Sequence, residues 1–367
     1  MDSKKILFIT HQLSRTGAPI VLLDMIRLAA SKGHEITVIS LMEGELSEEL
    51  CNMGISVTIK DDFWHDRENF SKYASGFSLV VANTLVTYQV IHALAGSVTP
   101  VLWWLHEGEQ YFEYFKQVLP DFAHLPSNIH TVCVSSYVSR VIEKRYGVTL
   151  PLLPFCVKRM DDAEIDPDNS DPWLTHFTSA PVRFLICGTY SMVKGQDLAA
   201  AAIRELPKDI FMRCRFIFCG NEEMYDPKIL NPVRALSKTF PDQVKMIASV
   251  PRAEVLLLMK YGDFLLIPSR IDPMPTVAVE AMMMGRINII TDVCGAAGYL
   301  EDGRSGILIP PDDAASIGYA IKNAVLLCDD IEGYSLMAHA SKKIYENNFS
   351  EGIVKNLMLS VIEGLFV

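Results

Sequence analysis

Twelve short apolar runs, six in each half of a 367-residue chain, limit what this sequence can fold into. In the first half they are KILFIT, EITVIS, ISVTI, SLVVAN, PVLWWLH and TVCVSS, and in the second VRFLICG, RFIFCG, VKMIA, DFLLIPS, INIITD and GILIP. Several are almost unbroken in β-branched, aliphatic and aromatic residues. A strand with one wet face alternates apolar and polar positions, so an unbroken run asks for cover on both faces, as in a parallel sheet. Helical stretches separate the runs. Strand alternating with helix implies right-handed βαβ units and doubly wound sheets. The expected class is therefore α/β, with two parallel-sheet domains, which the chain is long enough to build.

The two series part at residues 158–181, KRMDDAEIDPDNSDPWLTHFTSAP, an acidic, proline-containing and aperiodic stretch that reads as a linker. Asp166 and Asp168 form an Asp-x-Asp there, a pattern some metal-dependent transferases use; no strand leads into it, which favours a solvated acidic loop. Residues 1–157 then form a first domain and 182–348 a second. Residues 349–367 form a last helix, with Ser350 as its N-cap and Ile353, Val354, Leu357, Met358, Val361, Ile362 and Leu365 at helical spacing. One face of that helix must be buried against something.

Composition removes whole classes of function. The net charge is −11, which argues against a nucleic-acid partner and, less strongly, against broad docking to anionic lipid. No apolar run reaches the ~18 residues that span a bilayer, and MDSKKILFIT is too short and strand-like for a signal peptide. The eight cysteines include no CxxC pair, and Cys133, Cys187 and Cys219 lie inside strand-like runs. Reduced core thiols in a cytoplasmic protein fit this best.

Three loops carry candidate chemistry. The first strand runs into HQLSRTGAP, where Pro19 suits the first helical position, Gly33 the stop, and Gly17 a close backbone approach to an anion at the helix start. One glycine is not a dinucleotide fingerprint, and EITVIS ends in serine where a ribose-binding acid would stand. A tight turn without a ligand fits this loop equally well. In VRFLICGTYSMVKGQDL a strand again leads to glycine, then to Lys194-Gly195 and a helix. A lysine near a strand's carboxyl end can neutralise a phosphate. In PSRIDPMPTVAVEAMMMG, Asp272 precedes a Pro-Met-Pro bend, a helix follows from about Thr276 to Met284, and Gly285 stops it. Amides around Thr276 and Val277 face an anion, and Glu280, one turn in, can accept two hydrogen bonds from a ribose diol. Asp272 can reach hydroxyls beyond the phosphates. Diol, phosphates and polyol in a row describe a nucleotide sugar.

These segments resemble the family-4 retaining glycosyltransferases over nearly the whole chain. TGAPIVLLDMIRLAASKGHEITVIS is similar to that family's first loop and helix, CGTYSMVKGQDL to its glycine-to-lysine loop, and PSRIDPMPTVAVEAMMMG to its signature of two acids with seven residues between them. YLEDGRSGILIPPDDAASI resembles the segment that follows. The resemblance implies the GT-B fold, two Rossmann-like domains facing a central cleft, with the donor held mainly by the second domain and the final helix returning to the first. It implies that Glu280 holds the donor ribose, and that Asp272 touches the transferred sugar. Lys194 and amides near Pro275, Thr276 and Val277 would hold the diphosphate, and Val250 would meet the base. Gly17 and Ala18 would close on the phosphate or sugar, and His106 in WWLHEGE would face the sugar. Read without the resemblance, His106 is also compatible with a core histidine; no HExxH follows it. Three departures stand out. Asp272 replaces the usual glutamate. Thr189 replaces an arginine that often binds the diphosphate, as it does in a branch of the family. Cys294 and Gly298 replace a usual Gly and Glu. Arg15 and Arg270 are possible substitutes for the lost charge.

The implied reaction is transfer of a sugar from a UDP- or GDP-linked donor, with retention, to a glycan or lipid-linked acceptor, and with no metal and no cofactor besides the donor substrate. Bacterial surface polysaccharide or glycolipid assembly is the context the resemblance suggests, at the cytoplasm and with peripheral membrane contact open. Two other readings remain: another reaction at a sugar nucleotide, such as epimerisation, and a degenerate, non-catalytic binding subunit. Residues 111–122, YFEYFKQVLPDF, read either as an acceptor- or lipid-facing surface or as a helix buried in the first domain.

Overall fold

The computed structural model describes residues 3–62, 64–159, 172–221 and 225–366. All twelve apolar runs form strands. The first sheet contains β1 (Lys5–Thr10), β2 (Glu35–Ser40), β3 (Ser56–Ile59), β4 (Leu79–Asn83), β5 (Val101–Leu105) and β6 (Ile129–Cys133), in the order β3-β2-β1-β4-β5-β6. The second contains β7 (Val182–Cys187), β8 (Cys214–Cys219), β9 (Val244–Ile247), β10 (Phe264–Ile267), β11 (Ile287–Thr291) and β12 (Ile307–Ile309), in the order β12-β11-β10-β7-β8-β9. Every strand pair is parallel. Numbered within its own half, the second sheet repeats the first, and both have the doubly wound order in which the chain reverses direction beside the opening strand.

Burial follows the run pattern. β4 and β5 are buried at every residue, whereas the edge strand β3 is mostly exposed, which suits its Ser-Val-Thr-Ile sequence. In the second sheet Phe184 is in register with Phe216 on one side and Phe264 on the other. The three rings stack on one face with centroids 5.0 and 5.3 Å apart, a cross-strand ladder at the centre of the core. At the amino end of these strands, one residue before Phe184 and Phe264, Asp263 takes the Arg183 guanidinium in two bonds, at 2.9 and 2.8 Å. Cys133, Cys187 and Cys219 are the last residues of β6, β8's neighbour β7, and β8.

Helix starts follow side-chain chemistry. Asp66, Ser135, Asp226, Asp313 and Asp330 each accept a backbone N–H from the first turn of the helix they precede. Ser350 does not act this way: its hydroxyl donates back to the Glu346 carbonyl at 2.8 Å.

The chain divides into two compact units, Met1–Cys156 with Glu351–Val367, and Val157–Ser350. In the first unit, helix Glu351–Glu363 packs along helix Gly17–Ser31 and buries Val354, Met358 and Ile362. In the second, the Tyr345 hydroxyl donates to the Val157 carbonyl at 2.8 Å. The stretch expected to be linker is not all irregular. Pro172–Thr178 is a helix that packs on helix Arg252–Tyr261, with Leu174 and Phe177 buried. Two apolar residues three apart are enough to seat so short a helix, and give too little periodicity to read. Asp166 and Asp168 lie outside the described residues. Among the described residues no helix is long and apolar enough to cross a membrane.

Candidate active site

In the second sheet the reversal of strand order places the loops after β7 and β10 side by side. The β7 loop opens at Gly188, with φ +146°, and closes at Gly195, with φ +68°. A Cβ at Gly195 would stand 2.0 Å from the Pro268 carbonyl oxygen, so the two loops touch backbone to backbone only because residue 195 has no side chain. Gln196 fastens the loop from below, donating to the Gly188 and Thr189 carbonyls at 3.1 and 3.0 Å. Arg270 fastens it from the side: its amide donates to the Val193 carbonyl at 2.8 Å, and its guanidinium to Met192 and to both oxygens of Asp197. Arg270 is thus committed to holding the loop. Thr189 is exposed on it.

That bracing brings Lys194 to Asp272, residues 78 apart in sequence, with Nζ 2.6 Å from Oδ2. Asp272 is buried, and its backbone carbonyl accepts the Gly295 amide at 2.9 Å, which pins the bend to the segment after β11. Burial works to lower the Lys194 pKa, but the charge and hydrogen bond of Asp272 outweigh it and the net shift is upward. Lys194 is therefore a cation with two donor positions to spare. Pro275 is the N-cap of helix Thr276–Met283, whose first amides, at Thr276 and Val277, have no carbonyl one turn back to bond. Glu280 lies one turn along and is 4% exposed. Burial raises its pKa, and Arg252, whose Nε is 2.6 Å from Oε1, pulls it back down. Arg252 also donates to the Lys158 carbonyl at 2.8 Å. Val250 is half-buried just beyond β9.

In the first unit, Gly17 opens helix Gly17–Ser31 and a Cβ there would meet nothing within 4 Å. Pro19 is the third helical residue, not the first; proline fits there because no residue of the first turn needs its amide for the helix. The Ala18 carbonyl accepts the Asn83 side chain at 3.2 Å. His106 follows β5, its ring 4.8 Å from that of Trp104. Its Nε2 is buried without a hydrogen-bond partner among the described residues. Burial, with the nearby charge of His11, lowers its pKa to about 3, leaving a neutral ring.

Four neighbours of these residues were not singled out in the sequence. Glu107 is buried, accepts the His106 amide at 2.9 Å, and is pushed up to about 7 by burial against the pull of the His106, Leu85 and Glu107 amides. His11 shares a 3.0 Å hydrogen bond with Thr84, which has φ +77°. Arg252 clamps Glu280. Glu107 stood in plain view inside WWLHEGE; the other three carry no signal, because a positive φ at threonine and a long-range partner leave no local pattern. YFEYFKQVLPDF divides between its two readings: Phe112 and Phe122 are buried, while Tyr111, Tyr114 and Val118 are exposed. Among the described residues no three potential metal ligands converge.

The expected residues thus form two groups, each at the carboxyl edge of its own sheet: Gly17, Ala18 and His106 in the first unit, and Thr189, Lys194, Val250, Asp272, Pro275, Thr276, Val277 and Glu280 in the second. The start of helix Thr276–Met283, the half-buried Lys194 paired with the buried Asp272, and the buried Glu280 one turn on bring together donors and acids of the kinds that an anion and a polyol would need. Two family models match the chain: Glycosyl-transferase family 4 over residues 2–147 and Glycosyl transferases group 1 over residues 176–332. The chain belongs to the family-4, group-1 glycosyltransferases. It is 24% identical over 169 residues to granule-bound starch synthase 1 of Arabidopsis thaliana, covering 43% of this chain and 26% of that protein. It is 27% identical over 155 residues to alpha-D-kanosaminyltransferase of Streptomyces kanamyceticus, covering 42% and 38%. The chain spans less than half the length of the curated relatives it matches. Anabaena HepE, solved in complex with UDP-glucose, superposes with a TM-score of 0.76 at 16% identity, over 98% of this chain and 100% of that one. That likeness establishes the two-domain GT-B fold.

Proposed function

We propose that the protein transfers a sugar from a nucleoside diphosphate to a glycan or lipid-linked acceptor. The observation that carries this is the Lys194–Asp272 pair, 2.6 Å apart beside the open start of helix Thr276–Met283. Departure of the sugar builds negative charge on the β-phosphate and positive charge on the ring. Lys194 and the Thr276 and Val277 amides meet the first, and a fixed cation and fixed dipoles stabilise developing charge better than mobile water does. Asp272, one methylene shorter than the glutamate usual in the family, stands where it can accept from sugar hydroxyls while holding Lys194. Glu280 takes the ribose diol. The acceptor hydroxyl attacks the anomeric carbon on the face that the diphosphate leaves, and the departing phosphate takes the hydroxyl proton, so configuration is retained. His106, neutral and with Nε2 free, binds a sugar hydroxyl.

UDP-glucose is the first donor to try, because HepE is solved with it; GDP-mannose is the second. Nucleotide release on adding acceptors tests the reading. Lys194→Ala and Glu280→Ala should each lower turnover about 10²- to 10³-fold; near-normal rates in both would remove the donor site. A non-catalytic binding subunit is the second reading, favoured by Asp272 and by Thr189 in place of arginine. Calorimetric binding of UDP-glucose with no transfer to any acceptor would select it. Polysaccharide or glycolipid assembly at the cytoplasmic face of a bacterial membrane is the setting we propose for the reaction.

A further inference from the structure

The first unit carries a pocket whose lining includes neither Gly17 nor His106. The connection from β3 to helix Arg67–Ala74, helix Tyr88–Leu94 and the turn after helix Glu109–Tyr114 line an open pocket of about 670 Å³, within the size range of small-ligand sites. Its chemistry comes from Trp64, Arg67, Tyr88, Gln89, His92 and Gln117. Among the described residues no acid lines it, although the protein carries a net charge of −11. The nearby acids are engaged elsewhere: Asp62 pairs with Lys60, and Asp66 caps its own helix. Arg67 makes no ion pair among the described residues. The Gln89 Oε1 is buried with no hydrogen-bond partner. His92 Nε2 donates to the Val118 carbonyl at 2.7 Å, which fixes the wall and leaves its other ring nitrogen as an acceptor.

An unbonded carbonyl oxygen asks for an O–H or N–H donor, and a free guanidinium asks for an anion. Tyr88 and Trp64 add apolar ring surface. Inorganic phosphate can meet Arg67 and offer O–H groups, but it has no apolar face for the rings, and a hydrocarbon chain answers neither polar group. A pyranose with an acidic substituent answers all three: hydroxyls for Gln89, His92 and Gln117, a carboxylate or phosphate for Arg67, and a C–H face for the rings. We propose that this pocket binds an acidic saccharide unit of the acceptor. As an acceptor site it rests on the transferase reading above; as a sugar site it stands without it.

The test is saturation-transfer NMR on the full chain with methyl β-D-glucuronoside, glucose 6-phosphate and methyl β-D-glucoside, with inorganic phosphate as competitor. The wild type should bind one or both acidic sugars at least about tenfold more tightly than the neutral glucoside; which one binds identifies the acid. Arg67→Ala should remove that preference, and Gln89→Leu should weaken binding of every sugar. Absence of saturation transfer to all three, preference for the neutral glucoside, unchanged binding by Arg67→Ala, or full displacement by phosphate overturns the proposal. Calorimetry with UDP-glucose on the same samples separates the two readings. Arg67→Ala should leave donor binding intact; if the wild type binds the acidic sugar but no donor, the transferase reading fails and the sugar site remains.

Discussion

At the scale of single residues, the two most informative groups are ones whose surroundings fix their charge. Burial raises the Glu107 carboxyl to about 7 from 4.5, against the pull of backbone amides. The folded state keeps that proton to higher pH than the unfolded chain does. Stability from this group is therefore full below about pH 4.5 and is lost as pH rises through 7, by up to about 3 kcal/mol. Glu107→Gln cannot titrate, so its stability relative to wild type should climb between pH 4.5 and 8, as read by urea midpoints across pH; a difference that stays flat would mean the acid is ionised throughout. Gly195 is informative for the opposite reason. Its φ of +68° and the Pro268 oxygen 2.0 Å from a would-be Cβ leave no room for alanine. Gly195→Ala should cost at least about 2 kcal/mol and, by moving Lys194 away from Asp272, should also lower donor affinity. At this scale the sequence showed which residues carry charge and which glycines punctuate loops, but not who faces whom. Lys194 and Asp272 were both readable; their 2.6 Å contact was not, because 78 residues separate them.

At the scale of elements, apolar runs located every strand because a doubly covered parallel strand needs an unbroken run, and few other structures do. Strand order was not readable from the runs themselves, since β7 would satisfy its neighbours equally well at an edge. What places it at the centre is the fit of Phe184 between Phe216 and Phe264. Phe184→Ala removes the middle ring of three and should destabilise the second unit by about 3–5 kcal/mol; a thermal melt in which that unit unfolds first is the expected result. The helix Pro172–Thr178 was hidden for a related reason: seven residues give two buried positions, too few for a period to show. The position of His106 at a strand end was legible, but the lack of a hydrogen-bond partner for its buried Nε2 was not, because it depends on what the fold packs around the ring.

At the scale of the whole molecule, the two sheets share one strand order, and the singled-out residues follow the carboxyl ends of strands in both. The first unit is discontinuous in sequence, since it needs Glu351–Val367 as well as Met1–Cys156. Removing residues 351–367 bares the face of helix Gly17–Ser31 that Val354, Met358 and Ile362 cover. The shortened chain should bind a hydrophobic dye and lose the first unit's cooperative unfolding, while the second unit's transition persists. During synthesis this imposes an order of events. The portion that leaves the ribosome first is the one completed last, waiting through some two hundred further codons with a greasy stripe open to chaperones. A message cut short near its end would thus yield a polypeptide whose defect lies at its beginning, marked there for degradation.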